Sequence, residues 1–231
     1  MSKHAGYNDT MGAADSFDLA RLFRSVQMVM EAQRQIFNQS DEINCNHGDH
    51  MVEIFNIAAR STGEQGGVEL PVAMDYAGLR LSDCKGNGSA QVYARGLTVL
   101  AEQFRKYGIN LEDLLAYVQG VIWEKSDVQP PANQTKSGDV LKALLAGLAA
   151  WQGSEVEGIK SPAGMSLGYL FDLGVAYMQA KGVGGSRVEV IAEAAVAVSP
   201  LKDVPHRRMS GKAAIIALLE SMAKQRYSST G

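Results

Sequence analysis

The sequence predicts an all-α protein, an antiparallel bundle of about eight or nine helices. Three observations lead there. Apolar residues recur at steps of three and four through most of the chain, the spacing of one helix face. No stretch of four to eight residues alternates apolar and polar side chains with β-branched enrichment, so no segment reads as a strand. Glycine-containing polar turns separate the periodic stretches, and connections this short favour antiparallel neighbours. The chain has 24 glycines in 231 residues, about a tenth where about 7% is usual, and many fall in those turns.

Residues 1–15 are polar, small and aperiodic and read as a flexible N-terminal tail, with residues 16–231 as one domain. Ser16 is placed to cap a long first helix whose face is Leu19, Leu22, Phe23, Val26, Met30 and Phe37. The polar stretch 38–50 breaks the period. Met51, Ile54, Phe55 and Ala58 restart it in a shorter helix opened by Asp49 or by the turn at Gly48. After the glycine-rich residues 62–67 and Pro71, Met74, Ala77 and Leu81 give a weaker helix that ends at 83–88. A helix from about Ser89 follows, with Val92, Leu97, Leu100 and Phe104 on its face and Gly108 just past its end. Asn110 then caps a helix through Leu111, Leu114, Leu115, Val118 and Ile122, with Asp113 as a box-like partner. Residues 130–138 read as a loop before a helix over 140–151, and 152–164 as another before an apolar helix through Leu167, Leu170, Phe171 and Tyr177. A turn at 182–185, a helix over 188–198, a loop over 200–211 and a last helix over 213–224 complete the chain. Trp123 and Trp151 read as core residues on apolar faces.

Composition excludes several function classes. With 22 Lys and Arg against 25 Asp and Glu, net −3, there is no basic surplus to hold a nucleic-acid backbone. A hydrophobic share of 46% excludes wholesale disorder. The two cysteines, Cys45 and Cys84, read as reduced thiols, and with no signal-like apolar opening the expected location is cytoplasmic. No apolar run approaches the roughly 18 residues that span a bilayer.

Ligand-type side chains are densest between the first two helices: Asp41, Glu42, Asn44, Cys45, Asn46, His47, Asp49 and His50, with Gly48 among them. As residues alone they allow two readings besides a ligand site for phosphate. One is a polar surface turn that caps the next helix through Asp49. The other is a transition-metal site from Cys45, His47, Asp49 and His50, whose thiolate, imidazole and carboxylate suit zinc. Four ligands crowded into six residues do not follow the two separated pairs of ordinary zinc motifs. A second turn, Gly86, Asn87, Gly88 and Ser89, opens a helix with backbone N–H groups that suit an anion. Arg207 and Arg208 add fork donors late in the chain that suit a phosphate or anionic substrate, or else belong to a solvated loop.

The order Asn44-Cys45-Asn46-His47-Gly48-Asp49-His50-Met51 after a long helix resembles the signature of the dihydroxyacetone kinase L subunit and of the related N-terminal domain of bacterial fatty acid kinases. That signature reads Gly-Asp-Gly-Asp-His/Thr-Gly-x-Asn-Met, so His47, Gly48 and Met51 match while Asn44 and Asn46 stand where the family has aspartates. Lys85-Gly86-Asn87-Gly88-Ser89-Ala90 is similar to the family's Gly-Asn-Ser-Gly turn. The resemblance covers about residues 17–225. It implies an antiparallel eight-helix barrel around an apolar interior, with ADP or ATP and two Mg2+ ions at one end. It implies phosphate contacts from His47, Gly48, Gly86, Asn87, Gly88, Ser89 and Arg207, and metal contacts from Asn44, Asn46, Asp49 and Asp41. Asp41 would substitute for a family aspartate that aligns near Gln39. His47 and Asp49 are the candidate catalytic groups.

The departures concern charge. Two carboxylates have become amides, and Pro162-Ala163-Gly164-Met165-Ser166 stands where the family has Gly-Asp-Lys-Thr-Met. The family's closing segments near the C-terminus reduce to residues 205–212, which keep arginine and lose Asp-Pro. The expected function is therefore binding of a nucleotide or phosphorylated ligand at the helix-barrel rim, with phosphoryl transfer altered or lost. The alternative is a non-catalytic helical barrel that binds a lipid or other small acyl ligand, or serves as a partner subunit or homodimer.

Overall fold

A computed structural model describes residues 18–122, 134–150 and 167–224. Among them are nine α-helices, one short 3-10 helix and no strand: α1 Leu19–Ser40, α2 His47–Glu64, α3 Leu70–Ser82, α4 Gly88–Tyr107, α5 Leu111–Ile122, α6 Gln134–Ala150, α7 Leu167–Val183, α8 Arg187–Ala197, the 3-10 helix Pro200–Asp203 and α9 Pro205–Lys224. The chain is all-α, as its periodicity requires. The expected tail, both tryptophans and the segment 162–166 lie outside the described residues.

Local chemistry sets the helix ends. Asp18 caps α1, accepting the Arg21 N–H at 2.7 Å; Ser16, the expected cap, lies outside the described residues. Gly108 ends α4 with φ 60°, a left-handed backbone that only glycine takes without steric cost. Asn110 and Asp113 cap α5 reciprocally, at 2.8 and 3.1 Å. Ser186 and Glu189 form a capping box on α8.

Three boundaries differ from the periodicity reading, each because tertiary contacts extend a helix. α2 opens at His47, a turn before its apolar face begins. α6 opens at Gln134, and Lys136 reaches the Gly108 carbonyl at 3.0 Å and Asp113 at 2.8 Å. The largest difference is at 200–211, expected as a loop and found as the 3-10 helix followed by the first turns of α9. Pro205 opens α9 with a φ already suited to a helix, and Arg208 and Lys212 both pair with Glu193 of α8.

α1 and α2 run antiparallel, since Gly48 lies against Arg34 and Asn38 at one end while Gly63 lies against Ala20 at the other. α3 and α4 do likewise, joined by Gln91 to the Ser82 carbonyl, by Gly78 beside Ala94 and Thr98, and by Asp75 to Arg105. α1 also packs on α9, α4 on α6, α5 on α6 and α9, and α8 on both α7 and α9. Leu22, Val26, Met30 and Phe37 of α1 join Met51, Ile54 and Phe55 of α2, Leu81 of α3 and Phe104 of α4 in one core. Burying each of these side chains fully contributes about 1.5–3 kcal/mol. No helix among the described residues is long and apolar enough to cross a membrane.

Candidate functional site

The polar turn between α1 and α2 is organised by Asp41. Its carboxylate is buried and accepts N–H bonds from Ile43 at 3.3 Å, Asn44 at 3.4 Å and Asn46 at 3.4 Å. Burial alone would raise its pKa. The N–H groups of Asn44, Ile43 and Asn46, with the nearby His206, outweigh burial and hold the carboxyl below its ordinary range. The same turn forces Cys45, exposed, to φ 53°. A side chain with a Cβ costs about 1–2 kcal/mol there, and glycine loses about 0.5–1 kcal/mol of that gain to its freer unfolded chain. Cys45→Gly is expected to raise stability by about 0.5 kcal/mol. The urea midpoint reads this, and a fall in midpoint would contradict the strain.

The N-terminus of α2 is capped from another helix. Asn46, its own N-cap residue, makes no side-chain cap bond. Asn38 of α1 supplies the acceptor instead: its Oδ1 takes the Gly48 N–H at 2.7 Å and the Asp49 N–H at 3.2 Å. Its Nδ2 donates to Asp49 Oδ2 at 3.2 Å, and Arg34 Nε pairs with Asp49 Oδ1 at 2.8 Å. The Gly48 N–H therefore already has a partner, and two of the region's three carboxylates, Asp41 and Asp49, are engaged in holding backbone and cation while Glu42 is exposed. Among the described residues no group of three His, Cys, Asp or Glu side chains is placed to hold a metal ion.

His47 opens α2 and is buried against α9. Its Nε2 lies 2.8 Å from Ser210 Oγ, and that hydroxyl lies 3.2 Å from the Arg207 carbonyl. With the hydroxyl hydrogen on the Arg207 carbonyl, the Nε2–H tautomer of His47 donates to Ser210 and both bonds form. The His206 ring lies 4.6 Å from the His47 ring, centre to centre, and His206 Nδ1 is 3.9 Å from Asp41 Oδ1. Burial, then His206 and Arg207, push the His47 imidazole down to about 4, with Asp41 opposing and His50 adding slightly. His47 is thus neutral near pH 7.

The second turn reaches the same helix. Asn87 is buried as the N-cap of α4, its Oδ1 accepting the Ala90 N–H at 3.1 Å. Its Nδ2 donates to the His50 carbonyl at 3.0 Å and to Glu53 Oε2 at 2.9 Å. Gly86 and Gly88 are exposed, and a Cβ at either would meet nothing within 4 Å. Ser89 is half-buried in the first turn of α4. Asn44 is exposed and Asn46 half-buried.

The fold thus gathers three helix N-termini at one end, those of α2, α4 and α9, tied together through Asn87 to His50 and through His47 to Ser210. Each presents the positive end of its helix dipole, met in part by Asn38 at α2 and by Asn87 at α4. Arg207 stands exposed on α9, and among the described residues no ion pair holds it. The structure ties the second turn to α2 through Asn87 and sets Arg207 near His47; Asn38, Arg34, Glu53, His206 and Ser210 are not among the residues the sequence singles out as a site. Each acts across a contact between different elements, at sequence separations of 10 to 165 residues, where no local pattern points to it. Compared with protein-family models, curated proteins and solved structures, the chain matches none.

Proposed function

We propose that the end of the molecule formed by the N-termini of α2, α4 and α9 binds a small phosphorylated ligand, a nucleotide among them. In this reading the chain is a divergent relative of the dihydroxyacetone kinase L subunit that keeps the phosphate cradle and has lost phosphoryl transfer. The observation that carries the reading is an exposed cation with no ion pair among the described residues, Arg207, in the first turn of α9 and next to His47, which opens α2. A guanidinium and helix N-termini both favour an anion and neither needs a metal.

The loss of transfer rests on the carboxylates. Mg2+ takes hard oxygen ligands and is shared with phosphate oxygens. Asn44 and Asn46 offer carbonyl oxygens without charge, and Asp41 and Asp49 are already bonded to N–H groups and to Arg34. A charge pair at about 4 Å is worth roughly 4 kcal/mol at an effective dielectric of 20, so removing two anions removes the main attraction for the ion. His47 has burial and a Ser210 partner in place of a solvent-facing ring, which makes it a packing residue in this reading.

Titration calorimetry with ADP tests this. Saturable binding is expected, with affinity unchanged within about 3-fold between Mg2+ and EDTA, and Arg207→Ala is expected to weaken it about 10-fold. A flat trace at millimolar ADP would remove the site. Binding that needs Mg2+, accompanied by phosphate transfer from ATP, would remove the claim that the chemistry is lost.

A further inference from the structure

Along their sides, from Phe37 and Met209 next to that rim to Val29 and Glu220 farther along, α1 and α9 leave an open, largely apolar groove of about 320 Å³ between them, floored by Val29 and Phe37 of α1 and by Ile216 and Ala217 of α9. Lys212 and Glu220 stand on its α9 edge. Beside it on α1, Met28 and Ile36 are 69% and 52% exposed, and Met209 of α9 is exposed as well. A groove with apolar floor residues and exposed large apolar side chains at its margin fits an interaction surface.

The charges say what covers it. Lys212 and Glu220 are eight residues apart, with Ile216 midway. A two-fold axis through Ile216, perpendicular to α9, sets Lys212 of each copy against Glu220 of the other and Ile216 against itself. A two-fold interface must be complementary to itself, and this edge is. Lys212 Nζ already holds Glu193 at 2.8 Å with its side chain 38% exposed, so it would bridge that carboxylate and the second copy's Glu220. Among the described residues Glu220 holds an exposed contact to Lys224, at 3.5 Å, of the kind that contributes little. The area fits as well. Helices of 22 and 20 residues side by side present a face of roughly 30 by 20 Å, about 600 Å² per copy, at the low end for stable interfaces.

We propose that this groove is the interface of a homodimer, α1 and α9 of one copy packed antiparallel on α1 and α9 of the second, with reciprocal Lys212–Glu220 pairs. The inference is independent of the phosphate site, which lies at a helix end and does not use these side chains.

Sedimentation equilibrium of the full chain from micromolar to sub-millimolar concentration tests it. A monomer–dimer equilibrium in the micromolar range is expected. Glu220→Lys, an exposed position, is expected to weaken it at least about 10-fold because both symmetric contacts turn repulsive. Ile216→Glu is expected to abolish it. Lys212→Glu combined with Glu220→Lys is expected to restore affinity to within about 3-fold of wild type, with helicity followed in parallel. A monomer at every concentration, a dimer indifferent to Glu220→Lys and Ile216→Glu, or a failure of the double variant to recover overturns the proposal. Purification of a monomer with an apolar small molecule or an unrelated protein in the groove overturns it too.

Discussion

Gly48→Ala is expected to destabilise the protein by more than about 3 kcal/mol, the range of backbone overlap and severe overpacking. The added Cβ would overlap the Arg34 carbonyl oxygen and lie 2.8 Å from its carbon and 2.9 Å from Asn38 Oδ1. None of these can retreat cheaply. The Arg34 carbonyl belongs to α1's own hydrogen-bonded backbone, and Asn38 Oδ1 is the acceptor that caps α2. Gly147 and Gly211 give the contrast, since a Cβ there meets side-chain atoms of Leu100 and Leu201 instead of backbone. Gly86 is the control, with open space around it, and Gly86→Ala should stay within about 0.5 kcal/mol of wild type. Urea unfolding followed by helicity reads all four variants. A Gly48→Ala midpoint within about 1 kcal/mol of wild type would mean that α1 and α2 do not approach this closely.

Acidification is expected to cost about 3 kcal/mol through His47 alone. In the unfolded chain this imidazole titrates near its ordinary value of 6.5, and in the fold its pKa is pushed down to about 4. Between those values the unfolded chain holds a proton that the folded chain refuses, so stability falls as pH falls through that window and is fully present above it. Asp41 acts in the same direction but lower. Its folded pKa is depressed below the ordinary 3.8, so its contribution is present above that value and is lost only as pH drops through the folded one. The two windows are therefore separable. His47→Gln keeps an amide donor for Ser210 and removes the titration, so its stability should be nearly flat from about pH 6.5 to about pH 4.5 while wild type declines. Equal slopes for the two proteins would show that the ring is not shielded as its burial requires.

The sequence was most legible where the cause is local. Leu19, Leu22, Phe23, Val26, Met30 and Phe37 lie on one helix face by spacing alone, and all six are buried. Asn110 with Asp113, three residues apart at the start of α5, and the glycine directly after α4 are likewise local devices. Legibility failed at 205–212. Pro, His and three basic residues there read as a loop, because nothing nearby in sequence reveals that Glu193 will hold two of the cations and His47 will receive Ser210. The candidate site divides in the same way. Its two turns could be seen as turns, yet which N–H groups of the first remain open to a ligand depends on Asn38, ten residues before Gly48 and on another helix.

By itself, then, the amino-acid order determined that this chain is helical and about where each helix runs, because helix faces and caps are written in spacings of three and four residues. The tertiary structure decided which polar groups are spent and which are available. Asp41, Asp49 and Asn87 are consumed in holding turns and caps together, Gly48 is required by a close helix approach, and Arg207 stands exposed in the first turn of α9 near His47. The physical reason is that a hydrogen bond or ion pair needs two partners at about 3 Å, and in this fold the second partner usually comes from a different helix.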